Sequence, residues 1–503
     1  MAETDFISQP LGNILVQHGL LTQKQVDVVL NSQKTKRQLF GQLAVQHKFL
    51  HEDDLQKILA KLYSIDTVTL EFVYVNNEIL NLIDYETVLS CMALPFFLDK
   101  NSVKIAIADP GDLKSVDRIT ALFRNMKTEF FLAKESEILR FVEILKSGSN
   151  GVDGSPLMLL NKILFDALEG GASDVHFEPL ETHVRVRTRI DGVLHFMTQL
   201  SFDIWSRIKA KLKLIGKLDI TDRYHPQSGH AKIQLGGKSV DLRISTHIDK
   251  TEESVAVRIL DASHGVRSLK ELGFSYEDLR WLRKIISFPS GIFVVAGPTG
   301  SGKTTTLYSL LKEIDASSTR VMTLEDPIEY QMDGINQMEL REDGLLSFAD
   351  GIRSILRHDP DVMLIGEIRD EETAQTALRA SLTGRLVLAT IHATTPLDGI
   401  RRLINLNLKL ADIIPSLIGI FSQRLVRRIC DPTACSADKK YCGRFPLTEY
   451  IYFSEEKKKQ LLASGDINDI RPDKTFAVSS AEAIKNSITD LQEVERVIKN
   501  ADI

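Results

Sequence analysis

Residues 294–307 read VVAGPTGSGKTTTL, and this stretch decides the class of fold. Its glycines and lysine follow the spacing G-x-x-x-x-G-K-T of a phosphate-binding loop. An apolar run at residues 292–296 leads into the loop, and a segment compatible with a helix follows it. Strand, glycine loop and helix in this order predict an α/β nucleotide-binding domain. The residues expected to contact the nucleotide are Gly297, Pro298, Thr299, Gly300, Ser301, Gly302, Lys303, Thr304 and Thr305.

The chemistry of this loop indicates ATP and Mg²⁺ as the groups bound. Glycines let backbone N–H groups converge on phosphate oxygens because no Cβ stands in the way. The Lys303 ammonium is expected to reach the β- and γ-phosphates, and the Thr304 hydroxyl is expected to bind Mg²⁺. The first turn of the following helix adds its dipole to the attraction for anions.

Acidic residues at two further predicted strand ends are candidates for the hydrolytic chemistry. The segment DVMLIGEIRD places Glu367 just after the apolar run Val362–Ile365, where α/β sheets bind ligands. Glu367 is therefore expected to help hold Mg²⁺ and to orient the attacking water. The segment VMTLEDPIEY contains Glu325 and Glu329, either of which could polarise that water, unless this is only a solvated strand end. The sequence leaves open which carboxylate is the base.

A third predicted strand, in LVLATIHATT, is followed by His392. At this position the imidazole is expected to sense the γ-phosphate. The alternative is a packed or capping residue, since a neutral imidazole suits either role. Its place at a third strand end favours the functional interpretation.

The order of patterns along the chain predicts several domains. The 503 residues exceed one hydrophobic core and correspond to about two to four domains. From Leu269 onward strands and helices alternate, which indicates a parallel α/β sheet. The block before it is typical of an α+β domain, with hairpin signals at residues 191–192 and 236–237. The glycine- and serine-rich segment KSGSNGVDGSP at residues 146–156 is predicted to be a linker.

The N-terminal part contains two copies of one pattern. LGNILVQHGLLTQKQVDVVL begins at Leu11 and FGQLAVQHKFLHEDDLQKIL begins at Phe40, so that Gly12 matches Gly41. Apolar residues recur at three- and four-residue spacing, which predicts a short helix, a turn and a second helix in each copy. Two copies are too few for a solenoid, so we expect a small helical domain, followed by a mixed segment to about Leu145.

Composition and charge narrow the classes of protein. A net charge of −6 argues against a dedicated nucleic-acid binder. The first residues, MAETDFISQP, lack the apolar stretch of a signal peptide, and no run reaches the ~20 apolar residues that span a bilayer. Four cysteines do not make a disulfide framework in a chain of this length. We therefore expect a cytoplasmic protein that contacts a membrane only through a partner.

Four blocks occur together in a fixed order: GPTGSGKTTT, TLEDPIEY, LIGEIRD and TGRLVLATIHATT. This combination resembles the secretion ATPase superfamily that drives type II secretion and type IV pilus assembly. In the terms of that family, the blocks look like its Walker A, Asp box, atypical Walker B and His box. The resemblance continues upstream in GGASDVHFEP and VRVRTRIDGVL and downstream in FSQRLVRRIC. The helical N-terminus also resembles the N-terminal domain of extension and secretion members.

The resemblance implies a multidomain α/β fold. A RecA-like ATPase domain would occupy residues 269–503, preceded by an α+β (PAS-like) domain at 157–268, the linker at 146–156 and a docking domain at 1–145. It further implies a homo-hexameric ring with ATP between the middle and C-terminal domains. An inner-membrane platform protein is the implied partner, with peripheral membrane association through that partner.

Arginines of the middle domain would neutralise the charge that develops in phosphoryl transfer. Our candidates are Arg243 in VDLRIST and Arg258 in VAVRIL, with outward-facing strand arginines as the alternative. Family members often carry an arginine in a QDGR segment, where this chain has His230 in QSGH. The family's His box often begins TGH, where this chain has Arg385. We expect hydrolysis to survive both departures.

Two further family features are not expected in this chain. Many members carry two C-x₂-C pairs that form a four-sulfur zinc site, whereas Cys430, Cys435 and Cys442 form no such pair. Three sulfurs leave a tetrahedral ion one ligand short. N-terminal modules of some relatives bind cyclic di-GMP and open with R-L-G, but here Pro10 and Phe40 disturb the openings. Without those arginines the guanine and phosphate contacts lack their best donors.

The leading hypothesis is a hexameric ATPase motor that hydrolyses ATP to drive type IV pilus assembly. Type II secretion is the alternative within the family. A helicase or DNA-transfer ATPase is a different class, opposed by the acidic net charge and the lack of a basic tail with stacking aromatic residues. A nucleotide-gated scaffold with little hydrolysis is a third class, opposed by the intact Lys303, Thr304 and Glu367.

Overall fold

A computed structural model of the chain describes residues 11–35, 38–70, 73, 79, 84–98, 101–124, 126–147, 156–235, 238–250, 252–261, 265–340, 347–430 and 440–498. The chain divides into two compact units, Met1–Ser263 and His264–Ile503. Each unit is built around its own buried apolar clusters. Within these described ranges, no helix combines the length and apolar character needed to cross a bilayer.

The first unit begins with helices formed by the two-copy pattern: Leu11–Gln17, Gln23–Thr35, Phe40–Gln46 and Glu52–Tyr63. A Cβ on Gly12 would lie 3.0 Å from Cγ1 of Val26, and a Cβ on Gly41 would lie 3.0 Å from Cδ1 of Leu55. Each glycine thus lets its helix pack closely on the second helix of the same copy. The predicted helical region is confirmed, and the two copies pack in the same way.

A small mixed sheet follows the helices. Its strands are β1 (Ala93–Leu98), β2 (Ser102–Ile107) and β3 (Lys127–Leu132), in spatial order β1-β2-β3. Strands β1 and β2 are antiparallel, whereas β2 and β3 are parallel. The accompanying helices are Tyr85–Cys91, Leu113–Thr120 and Glu135–Ser147. The next helix begins at Pro156. Between these two helices, residues 148–155 of the predicted linker lie outside the described residues.

The rest of the first unit is an antiparallel sheet with helices on one face. Its strands are β4 (Ala172–Pro179), β5 (Val184–Ile190), β6 (Val193–Leu200), β7 (Gln227–Leu235), β8 (Lys238–Asp249) and β9 (Glu252–Asp261), in spatial order β6-β5-β4-β9-β8-β7. Helices Pro156–Glu169 and Phe202–Ile215 contribute to the apolar core beneath the sheet. The hairpin predicted at residues 191–192 joins β5 to β6. Strands β7 and β8 also pair as predicted, but their turn at 236–237 lies outside the described residues.

The second unit contains the parallel sheet that the sequence predicts. Its strands are β10 (Gly291–Ala296), β11 (Val321–Glu325), β12 (Asn336–Glu339), β13 (Val362–Ile365), β14 (Leu386–Ile391), β15 (Leu417–Ile429) and β16 (Tyr441–Tyr452). The spatial order is β12-β11-β13-β14-β10-β15-β16, and the described pairs are parallel except for β15 with β16. The described α-helices of this unit are Tyr276–Ile286, Lys303–Leu311, Phe348–Leu356, Glu371–Leu382, Pro396–Asn405, Leu410–Ser416, Glu455–Ser464, Phe476–Lys485 and Leu491–Val497.

The central strands of this sheet are buried on both faces. Every residue of β10, β13 and β14 is buried, which explains their unbroken apolar sequences. Because the strands are parallel, the carboxyl ends of β11, β13, β14 and β10 meet along one edge. The predicted fold class is confirmed: the chain has several domains, and helical and α+β regions precede in sequence a unit built on a parallel sheet.

An ion-pair cluster holds the helix Leu491–Val497 against β15. Glu493 is 1% exposed and accepts hydrogen bonds from Arg427 Nε at 3.0 Å and from Arg496 Nε at 2.8 Å. Burial opposes ionisation, but the hydrogen bonds from Arg496 and Arg427 outweigh it and lower the pKa of Glu493 to about 2. The helix Leu491–Val497 is thus an integral part of this unit.

The cysteine stretch begins just after β15 and ends in β16, and its residues 431–439 lie outside the described residues. Cys430 is buried, and its backbone N–H donates to the Lys440 carbonyl oxygen at 3.0 Å. Cys442 lies in β16, and Cys435 lies outside the described residues. The absence of zinc stays a prediction, to be checked by metal analysis of protein purified without chelator.

Candidate active site

The phosphate loop at residues 297–304 joins β10 to the helix Lys303–Leu311. Gly300 and Gly302 have φ angles of +77° and +88°, which residues with a Cβ rarely adopt. A Cβ on Gly297 would lie 2.3 Å from the hydroxyl oxygen of Ser301. The loop conformation therefore requires glycine at these positions.

The donors of this loop fit the phosphates of a nucleotide. The Ser301 hydroxyl is buried and has no hydrogen-bond partner among the residues described. The Lys303 ammonium donates to the carbonyl oxygens of Gly297 at 2.8 Å and Pro298 at 3.1 Å, so it lies over the loop. A buried hydroxyl, an ammonium and the backbone of a helix start are the groups that bind a triphosphate.

Thr304 and Glu367 are the residues that the sequence predicts to hold Mg²⁺. Thr304 is half-buried in the first turn of the helix that follows the loop, whereas Thr305 is exposed. Glu367 is also half-buried, and its charge acts on the ammonium of Lys303. Hydroxyl and carboxylate oxygens are ligands that Mg²⁺ prefers, so the donor set fits this ion.

Lys303 has an altered acidity. Burial lowers the pKa of its ammonium to about 8, the charge of Glu367 opposes this lowering, and the charge of Arg424 adds to it. A buried cation close to a second cation is stabilised by an anion, which the phosphates of a nucleotide would supply.

Glu367 and His392 come together at the ends of neighbouring strands. His392 Nε2 lies 3.1 Å from Glu367 Oε1, and Arg369 Nε donates to Glu367 Oε2 at 2.8 Å. Gly366, between β13 and Glu367, lies close to the end of β11: a Cβ there would be 3.2 Å from the Leu324 carbonyl oxygen. This close approach explains why a glycine precedes the glutamate.

Glu325 occupies a different environment. Its side chain is 2% exposed and accepts hydrogen bonds from the Tyr308 hydroxyl, from Thr323 Oγ1 at 2.6 Å and from Gln337 Nε2 at 3.3 Å. Burial raises the pKa of Glu325 despite these hydrogen bonds. Glu329 lies nearby, since its backbone N–H donates to the Tyr308 hydroxyl oxygen at 3.3 Å. The side chain of Glu325 thus contacts the helix of the phosphate loop.

Arg243 and Arg258 lie in the first unit, on β8 and β9. They face each other across these strands, and His230 of β7 lies opposite Arg243 on its other side. Arg258 Nε donates to Asp174 Oδ1 at 3.0 Å, and the Arg258 side chain is 52% exposed. These residues alternate with buried ones such as Leu242, so their side chains lie on the sheet face away from the core.

The family described as "Type II/IV secretion system protein" matches residues 152–496. The chain belongs to this family. Residues 63–149 additionally match the MshEN domain.

Relatives of this type II/IV secretion system protein carry two kinds of name. The chain is 34% identical over 454 residues to the "Type IV pilus assembly ATPase PilB" of Myxococcus xanthus, and the alignment covers 84% of this chain and 80% of that protein. It is 42% identical over 282 residues to the "Type II secretion system protein E" of Dickeya dadantii, covering 56% and 57%. It is 36% identical over 382 residues to the protein of that name from Xanthomonas campestris pv. campestris, covering 76% and 61%.

A solved structure shares the fold of this family member. The ATPase DotB of Legionella pneumophila superposes with a TM-score of 0.56 at 22% sequence identity, covering 68% of this chain and 95% of that chain. At this level of identity the likeness concerns the fold alone. It agrees with the predicted fold class.

Sequence reasoning missed several residues of the site. Arg369 stands in the quoted block LIGEIRD, and Gln423 and Arg424 stand in FSQRLVRRIC, but nothing in the sequence showed what they contact. For Tyr308, the sequence predicted only that it lies in the helix after the phosphate loop. Its hydrogen bond to Glu325 depends on the packing of its helix against β11.

Proposed function

We propose that this chain is an ATP hydrolase that drives type IV pilus assembly. The observation that carries the proposal is the convergence of Lys303, Glu367 and His392 at one edge of the sheet. A triphosphate-binding loop with a half-buried carboxylate beside it suits transfer of the γ-phosphoryl group to water.

In the proposed mechanism the chain's own residues divide the work. The loop N–H groups and Lys303 bind the β- and γ-phosphates and stabilise the charge that develops on them. Glu367 accepts a hydrogen bond from the attacking water and takes its proton. His392 and Arg369 hold the two oxygens of Glu367 in place. Bound Mg²⁺ would supply additional neutralisation of phosphate charge, with Thr304 and Glu367 as its protein donors.

Glu325 and Glu329 take a supporting part in this proposal. Glu325 is committed to Tyr308, Thr323 and Gln337, so it is better placed to fix the helix of the phosphate loop than to polarise water. Glu329 is half-buried at the same strand end and remains a candidate for orienting the water.

The proposal includes a homo-hexamer in which Arg243 and Arg258 approach bound ATP. Both lie on one sheet face in register, and Arg258 is half exposed. A planar guanidinium suits the oxygens of a phosphoryl group. His230 beside Arg243 provides a third nitrogen donor where the family often has an arginine.

The pilus branch is supported by the extent of alignment, which is larger for the Myxococcus xanthus pilus assembly ATPase than for the type II proteins of Dickeya dadantii and Xanthomonas campestris pv. campestris. Type II secretion is the second candidate because type II proteins from two organisms align with the chain over more than half its length. A DNA-transfer ATPase is the third and is opposed by the net charge of −6.

The surroundings of the motor form the last part of the proposal. Residues 1–145 would dock on an inner-membrane platform protein, holding a cytoplasmic ring at the membrane through that partner. No direct contact with nucleic acid is proposed. The prediction that the two-copy helical region does not bind cyclic di-GMP is tested by calorimetric titration, and micromolar affinity would overturn it.

The deciding experiment replaces Lys303→Ala in the source cell and scores two phenotypes in one culture. Surface pili are counted by electron microscopy, and exported proteins are compared between medium and periplasm. Loss of pili with normal export supports pilus assembly. Export substrates trapped in the periplasm with pili intact assign the chain to type II secretion. No change in either contradicts the motor, and DNA transfer is then tested.

A further inference from the structure

Strand β15 extends past the end of its neighbour and runs beside the phosphate loop. The register pairs Ala296, the last residue of β10, with Ser422, so Gln423 and Arg424 lie alongside the loop. Strand β14 flanks β10 on its other side and leads to His392. The start of the loop is therefore flanked on one side by the β15 residues Gln423 and Arg424, and on the other side by the segment that carries His392.

Gln423 contacts the loop through both its backbone and its side chain. Thr306 Oγ1 donates to Gln423 Oε1 at 2.7 Å, and both groups are buried. A Cβ on Gly297 would lie 2.9 Å from the Gln423 carbonyl oxygen, and one on Gly302 would lie 2.8 Å from Gln423 Nε2. The loop and its helix thus rest directly on this residue.

Arg424 connects β15 to the segment that carries His392. Its Nη1 donates to the Gln423 carbonyl oxygen at 3.0 Å, and its Nη2 donates to the Thr394 carbonyl oxygen at 2.8 Å. Thr394 follows β14 and lies two residues after His392. Because β10 lies between β14 and β15, the guanidinium spans the end of β10, next to the start of the phosphate loop.

The charge of Arg424 is buried without an ion pair in the described part of the chain. The residue is 9% exposed, and its guanidinium lies 5.3 Å from the centre of the Phe476 ring. Burial lowers the pKa of Arg424, and the charges of Glu449 and Asp398 oppose this. Burying a guanidinium without a hydrogen-bonded carboxylate partner is costly, so the two hydrogen bonds to carbonyl oxygens are what fix its position.

We infer that Arg424 is a positioning residue, which holds the Thr394 segment and thereby His392 in register with the phosphate loop. Its two hydrogen bonds join the backbone of Gln423, on which the loop rests, to the backbone that follows His392. When Arg424 is replaced, His392 loses its fixed position relative to Lys303. The inference rests on the proposed ATP hydrolysis for its kinetic consequence, but its structural consequence does not depend on that activity.

The kinetic test compares Arg424→Gln with the matched variant Arg428→Gln in the full chain. Arg428 is an exposed arginine on the same strand, so its replacement controls for loss of a positive charge from β15. We expect kcat for ATP hydrolysis to fall about tenfold in Arg424→Gln with little change in KM, and to stay at the wild-type value in Arg428→Gln. In a His392→Ala background, Arg424→Gln should cause no further loss.

A second measurement is independent of activity. Amide hydrogen exchange is expected to speed up at residues 392–398 in Arg424→Gln, with the helix Lys303–Leu311 unchanged and Arg428→Gln like the wild type. Arg424→Lys keeps the charge but makes at most one of the two hydrogen bonds well, so its kcat and its exchange rate should lie between those of the wild type and those expected for Arg424→Gln. It is the variant to use if Arg424→Gln does not fold. Equal exchange in Arg424→Gln and Arg428→Gln, or kcat losses that multiply with His392→Ala, would overturn the inference. Wild-type protein that hydrolyses no ATP would refute the proposed function and leave the exchange result to decide this one.

Discussion

The ends of β11 and β13 lie side by side in the sheet, and a glutamate stands at each, yet the two carboxylates have different surroundings. Glu325, at the end of β11, is 2% exposed. Its oxygens are taken up by Tyr308, Thr323 and Gln337. Glu367, just beyond β13, is half-buried at the edge of the sheet.

The two glutamates at this edge of the sheet therefore differ in role: Glu325 holds the helix that follows the phosphate loop, and Glu367 belongs to the candidate site. Because Tyr308 lies on the helix that follows the phosphate loop, its hydrogen bond to Glu325 fastens that helix to the sheet. Glu367 instead faces His392 and Arg369, and its charge acts on Lys303. Of the two glutamates, Glu367 is therefore the candidate for chemistry, because it is half-buried at the edge of the sheet, whereas Glu325 is enclosed by its three donors.

The largest effect is expected from Glu367→Gln. Loss of the base or water-orienting group should reduce kcat for ATP hydrolysis by about 100-fold or more, with nucleotide binding retained. Steady-state phosphate release and titration with a fluorescent nucleotide measure the two quantities. Hydrolysis at the wild-type rate would remove Glu367 from this role.

Glu325→Gln is expected to affect the fold more than the chemistry. The amide cannot accept all the hydrogen bonds that the carboxylate accepts, so the free energy of unfolding should fall by about 1 to 3 kcal/mol. Denaturant unfolding measures it, and kcat should fall less than in Glu367→Gln. Tyr308→Phe is the matched control, since the double variant should lose less than the sum of the two single losses. Full stability with hydrolysis abolished would place Glu325 in the chemistry.

Glu367→Gln and Glu325→Gln should also differ in how nucleotide affinity depends on pH. Bound phosphates favour the charged form of Lys303 and raise its pKa above the value of about 8 that it has without nucleotide. Nucleotide affinity should therefore be highest below pH about 8. It should fall by up to about tenfold per pH unit as the pH rises above that value. In Glu367→Gln the midpoint should move to lower pH, since an opposing negative charge is gone, whereas Glu325→Gln should leave it in place. Lys303→Arg, which stays charged, should lose the dependence. An unchanged midpoint in Glu367→Gln would contradict this.

The smallest effect is expected from Thr323→Val. This isosteric change removes one donor to Glu325, at 2.6 Å, and should lower the free energy of unfolding by about 1 kcal/mol. Hydrolysis should stay within about twofold of the wild type, because the other donors still hold the carboxylate. Thermal unfolding and phosphate release check both, and a large loss of hydrolysis would show that the β11 end controls the site directly.

Much of this site could be predicted from the sequence because its signals are local. Each strand that ends at the site is an unbroken apolar run, and the functional residue follows it within a few positions, as with Glu367 after Val362–Ile365 and His392 after Leu386–Ile391. The helical repeat was likewise readable, since Gly12 and Gly41 stand at the same point of a local apolar pattern.

What could not be predicted depends on which elements become neighbours. The strand order places β15 next to β10, and only this brings Gln423 under the loop and Arg424 across to Thr394. The burial of Glu325 also depends on packing, because Tyr308 reaches it from a helix. Local patterns identify strand ends but not the partners that decide the chemical state of each side chain.

The distance in sequence between the phosphate loop and Gln423 has a consequence for synthesis of the chain. Thr306 and Gln423 are 117 residues apart. At about 5 to 20 residues per second, a ribosome needs on the order of 10 s to pass from one to the other. During that interval the emerging loop lacks the strand on which it rests. A nascent chain should therefore not bind a nucleotide tightly until translation has passed β15.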